Sequence, residues 1–408
     1  MVTAVEAASL TRTQRLTEDT EHKGHKGLHR GQKTFRRVAI GAMVTAVEGA
    51  SLTRTQRLTE DTEHKGHKGL HRGQKTFLCG SLCSVTFVTL CVLGCSGRSS
   101  DRIRIAIGGQ AQLIYLPTTL ARELGFYRDE GLDVELQDFA GGAKALQAAV
   151  GGSAEIVSGF YDHTIQMAAD GKSFVSFVTM TRYPGLALAT SPKESDRVTK
   201  IEDLKGRVAG VTTAGSSSQM LLTYLLTRHG VPVDSVSVTS IGSAATAIAA
   251  MEHGTVAAGM MADPAFTLLA KRNANVRVLA DLRTADGVRD AFAASSYPGA
   301  VIYASKDWID AHPRAAGKVA RAVVRTLRWM QAHQPSEIAA KSPRDFRGDD
   351  DALYTESIQH SMTMFSPDGI MAADGAEAVR KLLAESVEKV RTAKIDLSAT
   401  YTNEFVRQ

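Results

Sequence analysis

Two runs of small and hydroxyl-bearing residues stand where the pattern changes from extended to helical. One is Ala214-Gly215-Ser216-Ser217-Ser218, preceded by Thr213; the other is Gly141-Gly142-Ala143. Glycine lets a backbone approach another group closely. A helix start offers amide N–H groups that lack intrahelical acceptors, together with the positive end of the helix dipole. Hydroxyls and such amides together suit a small anion. The plainer reading is that Ser216–Ser218 supply a helix cap and that Gly141-Gly142 is a tight turn. The residue types alone leave both open. Other turns carry Gln110 and Tyr115, then Gly159, Tyr161 and Asp162, then Arg182, and finally Asp263 before Pro264. Tyr115 and Tyr161 suit the wall of a pocket, and Arg182 suits a bidentate grip on an anion. Each is equally at home as an ordinary loop residue.

A second candidate chemistry is metal binding. His22, His25 and His29 recur as His64, His67 and His71, and spacings of three and four place imidazoles on one helix face. Interleaved glycines disfavour that helix, and no cysteine or carboxylate cluster completes a ligand set. The histidines sit in a duplicated segment: Met1–Phe35 and Met43–Phe77 differ only at Ala7 against Gly49. Folded repeats keep an apolar pattern and vary elsewhere. Here the solvated positions match too, which is the mark of a recent duplication. Residues 1–76 therefore read as a disordered basic leader, with no metal and no cofactor expected.

Residues 77–95, FLCGSLCSVTFVTLCVLGC, carry no charge and end in small residues. They read as a secretory signal segment, with a membrane anchor as the rival. Val92-Leu93-Gly94-Cys95 resembles a bacterial lipoprotein box, which implies lipidation at Cys95 and attachment to a membrane there. A signal of this kind belongs at a chain start, so residues 1–70 are expected to precede the true one; N-terminal sequencing tests this.

The formal charge of +5 comes from the leader and signal. Residues 1–95 hold 14 Lys/Arg and 8 Asp/Glu, leaving 34 and 35 in the remainder. A nearly neutral body carries no electrostatic footprint for nucleic acid. All four cysteines (Cys79, Cys83, Cys91, Cys95) lie in the signal segment, so the body uses neither an internal disulfide nor a thiol nucleophile. About 310 residues suffice to bury a core without staples.

From Arg102 the chain alternates short apolar runs with amphipathic helices, the mark of a mostly parallel sheet with helices on both faces. Strands are expected at 103–109, 132–139, 154–160, 173–180 and 185–191. A second series follows at 207–212, 235–241, 256–261 and 276–281, and a lone strand at 299–305. Helices are expected between them and over 313–333 and 374–391. The grouping gives two lobes: 102–191 plus 299–408, and 192–298. Ligands of open α/β sheets sit beyond the carboxyl ends of strands, here in a cleft between the lobes.

GFYRDEGLDVEL (125–136), GGAKALQAAVGGSAEIVSG (141–159), IEDLKGRVAGVTTAGSSSQMLLTYLL (201–226) and MADPAF (261–266) together resemble the substrate-binding proteins of ABC importers. The resemblance is to the group that binds sulfonates, nitrate, taurine and pyrimidine precursors of thiamine, and it covers roughly residues 102–335. It implies the two-lobed periplasmic-binding-protein fold, an α/β fold whose lobes close by a hinge. It also implies an exported monomeric lipoprotein that passes a small solute, sulfonate-like or nitrate-like, to a permease and ATPase. The resemblance favours the ligand reading of Gly141, Gly142, Ala143 and Thr213–Ser218. Related folds include enzymes, a pyrimidine-precursor synthase and a menaquinone-pathway dehydratase, and a sensing module is a third alternative. The synthase's cysteine-rich motif is absent from this sequence, and no catalytic constellation is evident, so no catalysis is expected.

Overall fold

The computed structural model describes residues 101–407; the leader, the signal segment and Cys95 lie outside them. Ten strands occur among the described residues. They are β1 (Asp101–Ile107), β2 (Leu132–Asp138), β3 (Ile156–Phe160), β4 (Phe174–Thr179), β5 (Leu186–Thr190), β6 (Val208–Val211), β7 (Ser237–Ser240), β8 (Ala258–Ala262), β9 (Val278–Asp281) and β10 (Ala300–Ser305). They form two five-stranded sheets, ordered β2-β1-β3-β10-β4 and β7-β6-β8-β5-β9.

The two orders are the same pattern. In each, one strand runs against the other four. β10 pairs antiparallel with β3 and β4, and β5 pairs antiparallel with β8 and β9. The remaining pairs, β1 with β2 and β3, and β6 with β7 and β8, are parallel. The reversed strand is the first that the chain lays down on entering each sheet from the other. β3, β4, β5 and β8 are buried throughout, as expected of strands covered by helices on both faces.

This topology corrects one boundary. Residues 185–191 were expected in the first lobe, yet β5 takes all its partners from the second sheet. The run LALAT is apolar on both faces, so its pattern declares burial without declaring which sheet buries it. The crossing therefore falls between Thr179 and Leu186.

Helices connect the strands. In the first half they are α1 (Leu116–Glu123), α2 (Phe126–Asp129), α3 (Gly142–Val150) and α4 (Asp162–Ala169). In the second they are α5 (Ser217–Arg228), α6 (Ala244–His253), α7 (Ala265–Arg272) and α8 (Ala285–Phe292). After β10 come α9 (Lys306–Ala311), α10 (Pro313–Ala332), α11 (Pro335–Lys341), α12 (Arg344–Arg347), α13 (Asp351–Ser361), α14 (Ala373–Ser386) and α15 (Glu388–Thr392). Pro313 starts α10 because its missing N–H is not needed in a first turn. Val319, Val323, Leu327 and Met330 form the buried face of that helix. Such side chains contribute roughly 1.5–3 kcal/mol each on full burial. The single helix expected over 374–391 is two, interrupted at Val387, which adopts φ −123° and ψ 104°.

The two crossings lie side by side. Tyr297 N donates to Arg182 O at 2.9 Å, Gly299 N to Thr181 O at 3.2 Å, and Gly185 N to Leu282 O at 3.1 Å. A third segment joins them: Arg182 N donates to Met364 O at 2.7 Å, and Ser366 N to Met180 O at 2.8 Å. Added bulk has no room here, since a Cβ on Gly299 would fall 2.7 Å from Tyr183 O. β10 carries the chain from this junction into the first sheet, between β3 and β4. Ile302, on β10, is fully buried. Ile302→Ala is therefore expected to destabilise the protein by about 2–5 kcal/mol, measured by urea unfolding.

Candidate functional site

Helices of both halves begin at the seam between the sheets. β1 runs into Gly108, then a 3-10 turn at Leu113–Tyr115 leads to α1. α3 starts at Gly142, α4 at Asp162 and α5 at Ser217. Between them is a cavity of about 20 Å³, roughly the space of one water molecule. The first half lines it with Gly108, Gln112, Ile114, Tyr115, Gly142 and Phe160. The second lines it with Leu186, Thr212, Ser216, Ser217 and Ser218.

The glycines let these starts approach. Gly141 has φ 175°, extended backbone open to any residue, so its role is space. A Cβ there would sit 2.6 Å from Thr213 Oγ1 in the other half. A Cβ on Gly108 would sit 2.6 Å from Gly142 Cα. Gly215 differs: its φ of +77° lies where a side chain is strained, and the nearest atom to an added Cβ is Ala143 Cβ at 3.9 Å.

Hydroxyls organise the second half of the site. Ser216 Oγ donates to Thr213 O at 2.7 Å and lies 2.9 Å from Thr212 Oγ1 and 2.8 Å from Ser218 Oγ. Thr212 N donates to Ser218 Oγ at 3.0 Å. The Ser216 side chain therefore makes no cap bond. It ties the β6–α5 loop together instead, while Gln219 N donates to Ser216 O at 2.9 Å and the amides of Ser217 and Ser218, the first two of α5, lack intrahelical acceptors by helix geometry.

Several bonds link the halves, among them Ser361 Oγ to Asp263 Oδ2 at 3.4 Å, and two more cross at the helix starts. Leu113 N donates to Asp263 O at 2.8 Å, and Ser217 Oγ donates to Asp162 Oδ1 at 2.7 Å. Asp162 is fully buried and His163 is 1% exposed. The imidazole lies behind Gly142, where an added Cβ would be 2.9 Å from His163 Cε1. His163 Nδ1 is 3.0 Å from the Tyr303 hydroxyl, and Nε2 is 3.9 Å from Asp162 Oδ1. Among the described residues, Asp162 Oδ2, His163 Nε2 and Thr213 Oγ1 have no hydrogen-bond partner. A hydrogen bond to a charged group contributes about 1.5–3 kcal/mol, and a buried group left unpaired costs about 1–3 kcal/mol. The Ser217–Asp162 link therefore favours the approach of the halves only modestly.

Burial raises the Asp162 carboxyl above its ordinary 3.8, with His163 and the Ser217 hydrogen bond opposing. Burial lowers His163 below its ordinary 6.5, with Asp162 opposing. Burial, followed by the Asp162 charge, also raises the phenols of Tyr115 and Tyr297, so both stay protonated.

The expected site residues divide. Tyr115, Gly142, Ser216, Ser217 and Ser218 line the cavity; Gly141, Ala143, Thr213 and Gly215 stand at the approach of the halves, and Asp162 is directly behind Ser217. The others do not line this cavity and have partners within the protein. Gln110 donates its amide N to Asp138 Oδ1 and its side chain to Thr119. Gly159 lies under the Tyr303 ring. The Tyr161 hydroxyl bonds Thr400 at 2.6 Å and its ring packs edge-on against Tyr401. Arg182 donates to Thr363 O beside the crossings. The Asp263 carboxylate accepts from Thr267 and pairs with Arg283, which also holds Asp281. Sequence reasoning passed over Gly108, Gln112, Thr212, Leu186 and His163. Only Gly108-Gly109, after a strand, carried a readable signal. Gln112 turns its amide onto Gly108 O at 2.8 Å, a contact that no spacing announces. Among the described residues no group of three His, Cys, Asp or Glu is placed to hold a metal.

Two sheets of like topology, joined by paired crossings and meeting at their helix starts, define the periplasmic-binding-protein fold. The chain belongs to the NMT1/THI5-like family, which it matches over residues 114–338. A solved protein from Bordetella bronchiseptica RB50 is 37% identical, with 76% of this chain and 96% of that one covered and a TM-score of 0.73. The periplasmic aliphatic sulphonate binding protein SsuA from Escherichia coli shares the fold at 19% identity, 76% and 100% coverage and a TM-score of 0.56. The periplasmic nitrate-binding protein NrtA from Synechocystis PCC 6803 does so at 15%, with 76% and 88% covered and a TM-score of 0.57.

Two outcomes are expected. Gly141→Ala blocks the contact with Thr213 and leaves the urea midpoint nearly unchanged while enlarging the radius of gyration in solution scattering. The second concerns pH. Folded His163 stays neutral where the unfolded chain's histidine takes a proton, so its contribution to stability is full above pH 6.5 and is lost as pH falls below it. Asp162 has the opposite sign: its contribution is full below pH 3.8 and declines as pH rises toward its raised value. Melting curves at about pH 7.5 and pH 5.5 should show a fall on acidification that is smaller in His163→Gln.

Proposed function

We propose that the chain is an extracytoplasmic solute receptor of an ABC importer, a monomer that captures a small polar solute between its halves and presents it to a permease and its ATPase. Cys95 is the lipid attachment point in this reading. The observation that carries it is the cavity lined from both sheets where their helices start, with paired crossings to act as a hinge. Backbone segments of this kind absorb closure while the lobes move as bodies. The cavity as closed admits about one water, so the halves must part for any solute. The relatives bear on the same point: SsuA is a sulphonate-binding protein and NrtA a nitrate-binding protein.

The constellation Ser217, Asp162 and His163 does not favour an enzyme. A nucleophilic serine needs a histidine base on its Oγ, oriented by the carboxylate. Here Ser217 Oγ donates to the carboxylate itself, and His163 Nδ1 faces Tyr303. The connectivity is that of a latch.

Scattering and thermal unfolding of the purified chain test the reading against a panel of sulfonates, nitrate, amines and pyrimidines. A bound solute should both compact the molecule and raise its melting temperature by mass action. A solute that raises the melting temperature with no change in radius of gyration would count against closure around it.

A further inference from the structure

We propose that the solute carries a cationic nitrogen donor, an ammonium or amidinium, which takes the Asp162 carboxylate in place of Ser217. The inference rests on the receptor reading above and narrows it. Helix starts favour negative charge, and at this seam that place is already taken. Asp162 stands in the first turn of α4 and accepts from Ser217 in the first turn of α5. An anionic solute would have to settle beside a buried carboxylate.

What offsets that carboxylate is weak: the Ser217 hydroxyl, and an imidazole whose Nε2 lies 3.9 Å from Oδ1 and which burial holds toward its neutral form. No lysine or arginine lines the cavity. Arg283 is engaged by Asp263 and Asp281 and lies 4.2 Å from the centre of the Phe266 ring. His163 is buried with one ring nitrogen turned to Tyr303. Asp162 Oδ2 has no hydrogen-bond partner among the described residues, and a buried carboxylate calls for donors on both oxygens. The Tyr115 and Phe160 side chains that wall the cavity suit the face of a planar or alkyl cation. When the halves part, Ser217 leaves the carboxylate with its helix, and a nitrogen donor entering the seam meets both oxygens. On closure the Ser217 hydroxyl competes with that donor for Oδ1.

The test is calorimetry and thermal unfolding of the purified chain at low ionic strength with benzamidine, agmatine and putrescine, against methanesulfonate and nitrate. At least one of the three cations is expected to bind and raise the melting temperature. Asp162→Asn should weaken that binding tenfold or more, and Ser217→Ala, which removes the competing hydroxyl, should tighten it. Binding of methanesulfonate or nitrate without binding of any cation overturns the proposal, as does a lack of response to all three cations. Cation affinity within twofold of the parent in Asp162→Asn overturns it too. If Asp162→Asn does not fold, the Ser217→Ala arm decides: a loss of cation affinity there overturns the proposal. Compaction on adding methanesulfonate would refute the cation while leaving the receptor reading standing.

Discussion

The buried carboxyl of Asp162 at the meeting of two helix starts is the constraint around which the site is arranged. A carboxylate out of water needs donors and positive potential. The first turn of α4 supplies the potential from its own half, and Ser217 on α5 supplies a hydroxyl from the other. One hydrogen bond thus serves desolvation and closure together. It satisfies only one oxygen, so the closed arrangement is held without being locked.

That balance depends on the close approach of backbones. Gly141 and Gly108 leave no room for a Cβ, which brings α3 against the loop before α5 and against the end of β1. The hydroxyl network of Thr212, Ser216 and Ser218 then holds the loop in one shape while leaving the first two amides of α5, at Ser217 and Ser218, free of intrahelical acceptors. Polar groups here are arranged by other polar groups, and the apolar walls from Ile114, Phe160 and Leu186 keep the space small.

At the junction the design is different. The two crossings and the segment 362–366 are joined by backbone hydrogen bonds, which keep the segments aligned and resist sliding more than bending. Arg182, an attractive anion ligand by residue type, turns out to brace this junction through Thr363 O. What holds the crossings together, backbone hydrogen bonds, is thus distinct from the Ser217–Asp162 bond at the helix starts.

Much of the architecture was legible in the residues. Alternating apolar runs and amphipathic helices marked the elements, because burial on both faces of a strand and on one face of a helix leaves a local pattern. Glycine and serine runs at Gly141-Gly142 and Gly215–Ser218 marked the helix starts for the same local reason. The charge balance of the body was likewise a matter of sequence alone, whereas the expected leader and signal segment lie outside the described residues. Tertiary structure decided the rest. Which sheet received LALAT depended on partners some seventy residues away at β8 and ninety at β9. Gln112 came to the cavity wall and His163 to the back of Gly142, while the Tyr161 hydroxyl turned to Thr400 and the Asp263 carboxylate to Arg283, because side-chain direction depends on neighbours brought by the fold. The charge at the site was also decided there: a serine run after a strand reads as a place for an anion, and only packing the two halves together put a carboxylate of the protein's own in that place.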